Sequence, residues 1–133
     1  RSRPYLFSNS LPPHVVAAGI EVFDMLGEAG DLRDKLMANT RYFREKMAAA
    51  GFDIKPGTHP IVPVMIHDAK LAQAFAAKLL DHGIYAIGFF FPVVAQGQAR
   101  IRTQMSAAHT RENLDRAIEA STAVGRELEL LKA

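Results

Sequence analysis

Between Gly97 and Thr110 the chain reads GQARIRTQMSAAHT, and the alternation inside this run constrains the fold more than any other stretch. Residues two apart in a strand share a face, so Ala99, Ile101, Thr103 and Met105 point one way and Arg100, Arg102 and Gln104 the other. The first set is suited to rest on a layer of helices. The second sets two guanidinium groups side by side on the opposite face. A guanidinium is planar and permanently charged, and its paired donors match a carboxylate or a phosphate. A strand holds such a fork more rigidly than a loop does. The same pattern also suits a solvent-facing edge strand whose arginines only confer solubility.

The rest of the chain supplies the helical layer. Arg3-Pro4 biases the backbone away from helix and Ser8-Asn9-Ser10 favours turns, which predicts an extended lead-in over residues 1–12. Pro12 and Pro13 suit the first turn of a helix, and Val16, Ile20, Phe23 and Leu26 then recur at helical spacing as far as Gly27. A second helix starts near Gly30 or Asp31, carries Leu32, Leu36, Phe43 and Met47 as its apolar stripe, and stops at Gly51. These two form a linking pair over residues 13–50. Residues 51–133 read as a sheet unit. Phe52–Lys55 and Ile61–Ile66 are strands, and Pro63 within the second points to an edge or a bulge. Asp68 caps a third helix with Leu71, Phe75 and Leu79 on one face and Gly83 at its end. Ile84–Ile87 is a short apolar strand, and Gly88–Gly97 a connection carrying Phe89, Phe90, Phe91 and Pro92. The arginine strand follows, and Thr110 caps a last helix with Leu114, Ile118, Ser121, Val124, Leu128 and Leu131 on its stripe. The predicted class is α+β, an α/β two-layer arrangement of order α-α-β-β-α-β-β-α. Its small mixed or antiparallel sheet has helices on one face. The face bearing Arg100 and Arg102 has no cover within the chain, which points to further protein outside it.

Composition excludes more than it assigns. A chain of 133 residues suffices for one modest core. It begins at Arg1 with neither a methionine nor a signal-peptide pattern, as expected of a processed product or an excised part. No apolar run is long enough to cross a membrane. The absence of cysteine removes disulfides and thiolate metal sites. Sixteen Lys and Arg against fourteen Asp and Glu, spread along the chain, give no case for nucleic acid or an anionic membrane as partner. His14, His59, His67, His82 and His109 are too scattered for a helical metal pair, so no metal is expected. His109, just before a cap, is expected to bond neighbouring backbone. Asp31 and Asp34 suit the first turn of a helix. There is no Gly-rich phosphate loop and no nucleophile elbow. The Phe89–Phe91 run serves either as a ligand wall or as core filling.

Three stretches carry a resemblance: Arg3-Pro4-Tyr5-Leu6-Phe7-Ser8-Asn9-Ser10-Leu11-Pro12-Pro13, Gly88-Phe89-Phe90-Phe91-Pro92-Val93-Val94, and the run from Gly97 to Thr110. Along essentially its whole length the chain resembles the C-terminal part of the α-oxoamine synthases, pyridoxal-phosphate (PLP) enzymes of fold type I. The paired arginines mark that family. Ser8-Asn9-Ser10 and Thr103-Gln104-Met105 favour its branch that joins glycine and acetyl-coenzyme A into 2-amino-3-ketobutyrate and coenzyme A, a reaction of threonine breakdown. Ala95 departs from the family, which usually has proline there.

The resemblance implies that residues 1–133 are a small C-terminal domain of a much longer polypeptide. A large domain of the same polypeptide would hold the Schiff-base lysine, so no catalytic residue is expected here and the chain alone should be inactive. Lys35, Lys46, Lys55, Lys70, Lys78 and Lys132 all lack the small-residue context of the family lysine. Arg102 matches the family arginine that binds the substrate carboxylate. Ser8, with Phe7 beside it, matches the segment that reaches the cofactor phosphate of the other subunit in a homodimer. The implied location is the cytoplasm of a bacterium or the mitochondrial matrix of a eukaryote. Other α-oxoamine synthases, which make 8-amino-7-oxononanoate, 5-aminolevulinate or a sphingoid base, share the arginine pair. A free-standing α+β module that grips an anion reads the same two residues without an enzyme.

Overall fold

The computed structural model describes Arg1, residues 3–7 and residues 11–131. The chain divides into two compact units, Arg1–Arg33 and Asp34–Ala133.

The first unit holds α1 (Arg3–Phe7), α2 (Pro13–Glu28) and the start of α3 (Gly30–Ala49). The expected extended lead-in is instead a five-residue helix over Arg3–Phe7. Pro4 falls in its first turn, where a helix loses nothing by a missing N–H, so the proline starts this element rather than blocking it. Pro13 opens α2 in the same way, and the N–H groups of Val15 and Val16 donate to the Pro12 carbonyl at 3.0 and 3.2 Å. The stripe of Val16, Ile20, Phe23 and Leu26 lies on α2 as its spacing predicts, yet all four are exposed and no residue of α2 is buried.

The second unit adds β1 (Asp53–Ile54), β2 (Ile61–His67), α4 (Ala69–Asp81), β3 (Gly88–Phe89), β4 (Ala99–Gln104) and α5 (Arg111–Glu127). The class is α+β as expected, with α1 as one helix more than the expected order. The sheet runs β1-β2-β4-β3 and every pairing in it is antiparallel. Val62, Val64, Ala99 and Ile101 form its inner face. They meet Phe43 and Met47 of α3, Phe75 and Leu79 of α4, and Leu114 and Val124 of α5 in one buried cluster. Full burial of each large apolar side chain contributes about 1.5–3 kcal/mol. Asp68 Oδ1 accepts from the Leu71 N–H at 2.8 Å, and Thr110 with Asn113 closes a reciprocal capping box at the start of α5. On α3, Leu32 is exposed and Leu36 half-buried, while Asn39 and Thr40 are buried. Burial of these polar groups costs little because both are bonded. Asn39 Nδ2 donates to the carbonyls of Ser106 and His109 at 3.1 and 3.0 Å, and Thr40 Oγ1 donates to Leu36 O at 2.7 Å.

Two strands differ from expectation. Pro63 lies on neither an edge strand nor the bulge: β2 is flanked by β1 and β4, and the irregularity falls between Met65 and His67. The Pro63 carbonyl accepts from Lys55 N–H at 3.2 Å, so its missing N–H also faces the β1 side, just where β1 ends. The Lys55 carbonyl that such an N–H would have met accepts instead from Arg44 Nη1 at 2.9 Å. Arg44 Nη2 also donates to His59 O and Ile61 O, at 3.0 and 3.1 Å, so one guanidinium ties down the whole turn before β2. The third strand is Gly88–Phe89 and not Ile84–Ile87. The Ile84 N–H is held by Leu79 O at 2.9 Å, which ties that segment to the end of α4. At Gly88 the backbone passes so close to α4 that a Cβ would stand 3.1 Å from the Ala72 carbonyl oxygen. A residue without a side chain lets the chain close onto the sheet there without displacing α4.

Candidate functional site

The alternation of β4 holds. Ala99 and Ile101 are buried and Thr103 is half-buried toward the helices, while Arg102 and Gln104 are exposed and Arg100 half-buried on the other face. The register places Met65 beside Arg100, Pro63 beside Arg102, Ile61 beside Gln104, and Phe89 beside Arg100 on the far side. The uncovered face is therefore an apolar shelf carrying two cations. The Arg102 guanidinium carbon lies 4.4 Å from the centre of the Phe89 ring. Among the described residues neither arginine has a carboxylate partner. A fork held on an aromatic ring and left unpaired is suited to an incoming anion.

A cleft of about 730 Å³ opens beside it. Arg102, Thr103, Gln104, His109, Asn113, Arg116 and Ser121 line it on the polar side, with Tyr85, Ile87 and Phe89 among the other walls. It follows from how the β3–β4 ladder ends. Phe89 pairs with Arg100 and Gly88 with Ile101, and the same register would set Tyr85 against Gln104. Residues 84–87 are not in the ladder, and the cleft lies between them and the second half of β4. No lysine lines it.

The other predicted residues fall as follows. His109 bonds backbone as expected: its Nδ1 accepts from Ser106 N–H at 3.3 Å. Ser8 lies outside the described residues, and for Phe7 the backbone alone is described, as the last residue of α1. Among the described residues no group of acidic and histidine side chains is placed to hold a metal. Sequence reasoning passed over His67, which stands at the bulge with a left-handed φ of 67°. Its Nε2 lies 2.9 Å from Asp53 Oδ2 and its Nδ1 3.1 Å from Gly97 O. The Asp53 carboxylate, and then the Gly97 carbonyl, raise the pKa of this imidazole above its usual 6.5. A histidine followed by a capping aspartate carries no local signal of this; the contact spans 14 and 30 residues.

Residues 1–120 match the family of class I and II aminotransferases. A 2-amino-3-ketobutyrate coenzyme A ligase of Escherichia coli (strain K12) is 59% identical over 128 residues, 96% of this chain and 32% of that protein. An 8-amino-7-oxononanoate synthase of Alkaliphilus metalliredigens is 45% identical over 131 residues, 98% of this chain and 33% of its own length. Among solved structures, a serine palmitoyltransferase variant from S. paucimobilis with a bound PLP–myriocin aldimine superposes with a TM-score of 0.87 at 30% identity, over 97% of this chain and 33% of that one. The chain thus spans about a third of the length of the curated relatives it matches.

Proposed function

We propose, from the premise that this chain belongs to the class I and II aminotransferase family, that it is the C-terminal small domain of a PLP-dependent acyltransferase. The reaction is the condensation of glycine with acetyl-coenzyme A to 2-amino-3-ketobutyrate and coenzyme A, or its reverse. Arg102 is the residue that binds the glycine carboxylate. The observation that carries this reading is a guanidinium on a strand, without a carboxylate partner among the described residues, seated on Phe89 and among the residues that line a cleft. The higher identity to the 2-amino-3-ketobutyrate ligase, 59% against 45% for the oxononanoate synthase, supports this branch over its sister.

PLP, when bound, supplies the electron sink that lets a bond at the amino acid's Cα break. This chain supplies orientation. A carboxylate taken bidentately by Arg102 is fixed in rotation as well as position, which aligns the Cα bond to be broken. The covalent anchor for the cofactor belongs, by the family resemblance, to the large domain of the same polypeptide, and among the described residues no lysine lines the cleft. Ser8, next to Phe7, offers a hydroxyl ahead of a helix start, a suitable donor set for the cofactor phosphate across a homodimer. By this reading the chain alone does not catalyse, and the whole enzyme works in bacterial cytoplasm or a mitochondrial matrix.

The test is made on the full-length enzyme. Arg102→Ala leaves a bound carboxylate without its partner, so kcat/KM for glycine should fall roughly thirtyfold or more while PLP retention barely changes. Arg102→Lys should recover only part, because a point charge lacks the fork. Arg100→Ala is the control. If it costs what is assigned here to Arg102, while Arg102→Ala stays within about threefold of wild type, the assignment is wrong. Turnover with acetyl-coenzyme A, and not with succinyl, pimeloyl or palmitoyl donors, separates this branch from its sisters.

A further inference from the structure

We infer that Phe89 is a positioning residue for the amino-acid carboxylate, acting through Arg102; this rests on the reading of Arg102 given above. Phe89 belongs to β3, and its backbone partner is Arg100, not Arg102. The ring nevertheless reaches diagonally across the ladder to lie 4.4 Å from the Arg102 guanidinium carbon. Diagonal neighbours on one sheet face are within reach of aromatic and long side chains. A guanidinium has two faces and an edge. With its carbon over the ring, it loses hydration on that side. The ring also removes rotamers from a long side chain that is otherwise exposed, so less freedom is lost when a carboxylate binds.

Two features of the backbone keep the ring in place. Gly88, pressed against α4, sets where β3 meets the sheet. The pairing of Phe89 with Arg100 then fixes the face on which the ring projects. The stack is therefore built by the strand that ends the ladder, next to the gap where the cleft begins. Phe89 touches no reacting atom in this scheme. Its effect passes through the arginine, and it should appear in substrate binding rather than in the chemical step.

The experiment is a double-mutant cycle in the full-length enzyme with glycine as the varied substrate. Phe89→Leu should raise KM for glycine roughly threefold to fivefold, with kcat within about twofold of wild type. Phe89→Tyr keeps a ring of the same shape and should restore the wild-type KM. In an Arg102→Ala background the Phe89→Leu change should shift KM by less than about twofold, because there is no longer a guanidinium to hold. If the two substitutions act additively, or if Phe89→Tyr behaves like Phe89→Leu, Phe89 is packing only and the inference is overturned. If Arg102→Ala alone leaves kcat/KM for glycine unchanged, it is the carboxylate reading that fails, and this inference goes with it.

Discussion

A histidine between two acceptors is drawn toward its charged form. Asp53 Oδ2 and Gly97 O face the two ring nitrogens of His67, and neither oxygen can donate, so both contacts are made only by the imidazolium. Its folded pKa is accordingly raised above 6.5. The stabilisation is fully present below the unfolded value and is lost as pH rises through the folded one, in a window opening upward from about 6.5. Since the side chains of His67 and Asp53 are 55% and 62% exposed, solvent screens the pair and the loss should stay within about 0.5 kcal/mol. Proton resonances of the ring, followed by NMR across pH 5–9, should show the raised midpoint, and Asp53→Asn should bring it down. A midpoint unaffected by Asp53→Asn would mean the carboxylate does not hold the ring. At this scale the sequence was legible where chemistry is local: Asp68 and Thr110 cap helices through partners three residues away. It was not legible for Arg44, an arginine within a helix whose three carbonyl acceptors become neighbours only after the sheet has formed.

The elements were legible in kind and, for β4, in which side chains share a face. A six-residue alternation with no glycine or proline has one consistent placement. The same reasoning misplaced β3, because four apolar residues at 84–87 look more like a strand than Gly88–Phe89 does. What decides between them is a tertiary contact, the approach of α4 to Gly88, and glycine records such an approach only by lacking a side chain. Gly88→Ala should therefore push β3 from α4 by a few tenths of an ångström. Overpacking of this kind costs about 1–3 kcal/mol, partly offset by the lower chain entropy of alanine when unfolded. A net loss of about 1 kcal/mol in denaturant-induced unfolding is expected. An unchanged midpoint would mean that β3 does not need the close approach. Pro63 teaches the complementary lesson. A proline is tolerated in an inner strand when the neighbouring strand has already ended and a side chain serves the orphaned carbonyl.

At the scale of the molecule, two surfaces stand out: an α2 with no buried residue and a sheet face with two arginines that have no carboxylate partner among the described residues. The sequence pointed to the second by alternation alone. The first was hidden, because a helical stripe looks the same whether its cover lies within the chain or beyond it. The parted ladder beside Arg102 has one more consequence, in the exchange of amide hydrogens with solvent. Met105 N–H is bonded to Pro60 O at 3.0 Å, and Thr103, two residues earlier, faces the same strand. Gln104, between them, turns its N–H toward the gap where Tyr85 is not paired. In the 133-residue chain, Thr103 and Met105 should exchange slowly while Gln104 exchanges fast; equal protection at all three would mean that the ladder is closed. One backbone hydrogen thus becomes a reporter for the cleft, and any extended segment that pairs with this edge would announce itself as slowed exchange at Gln104 alone.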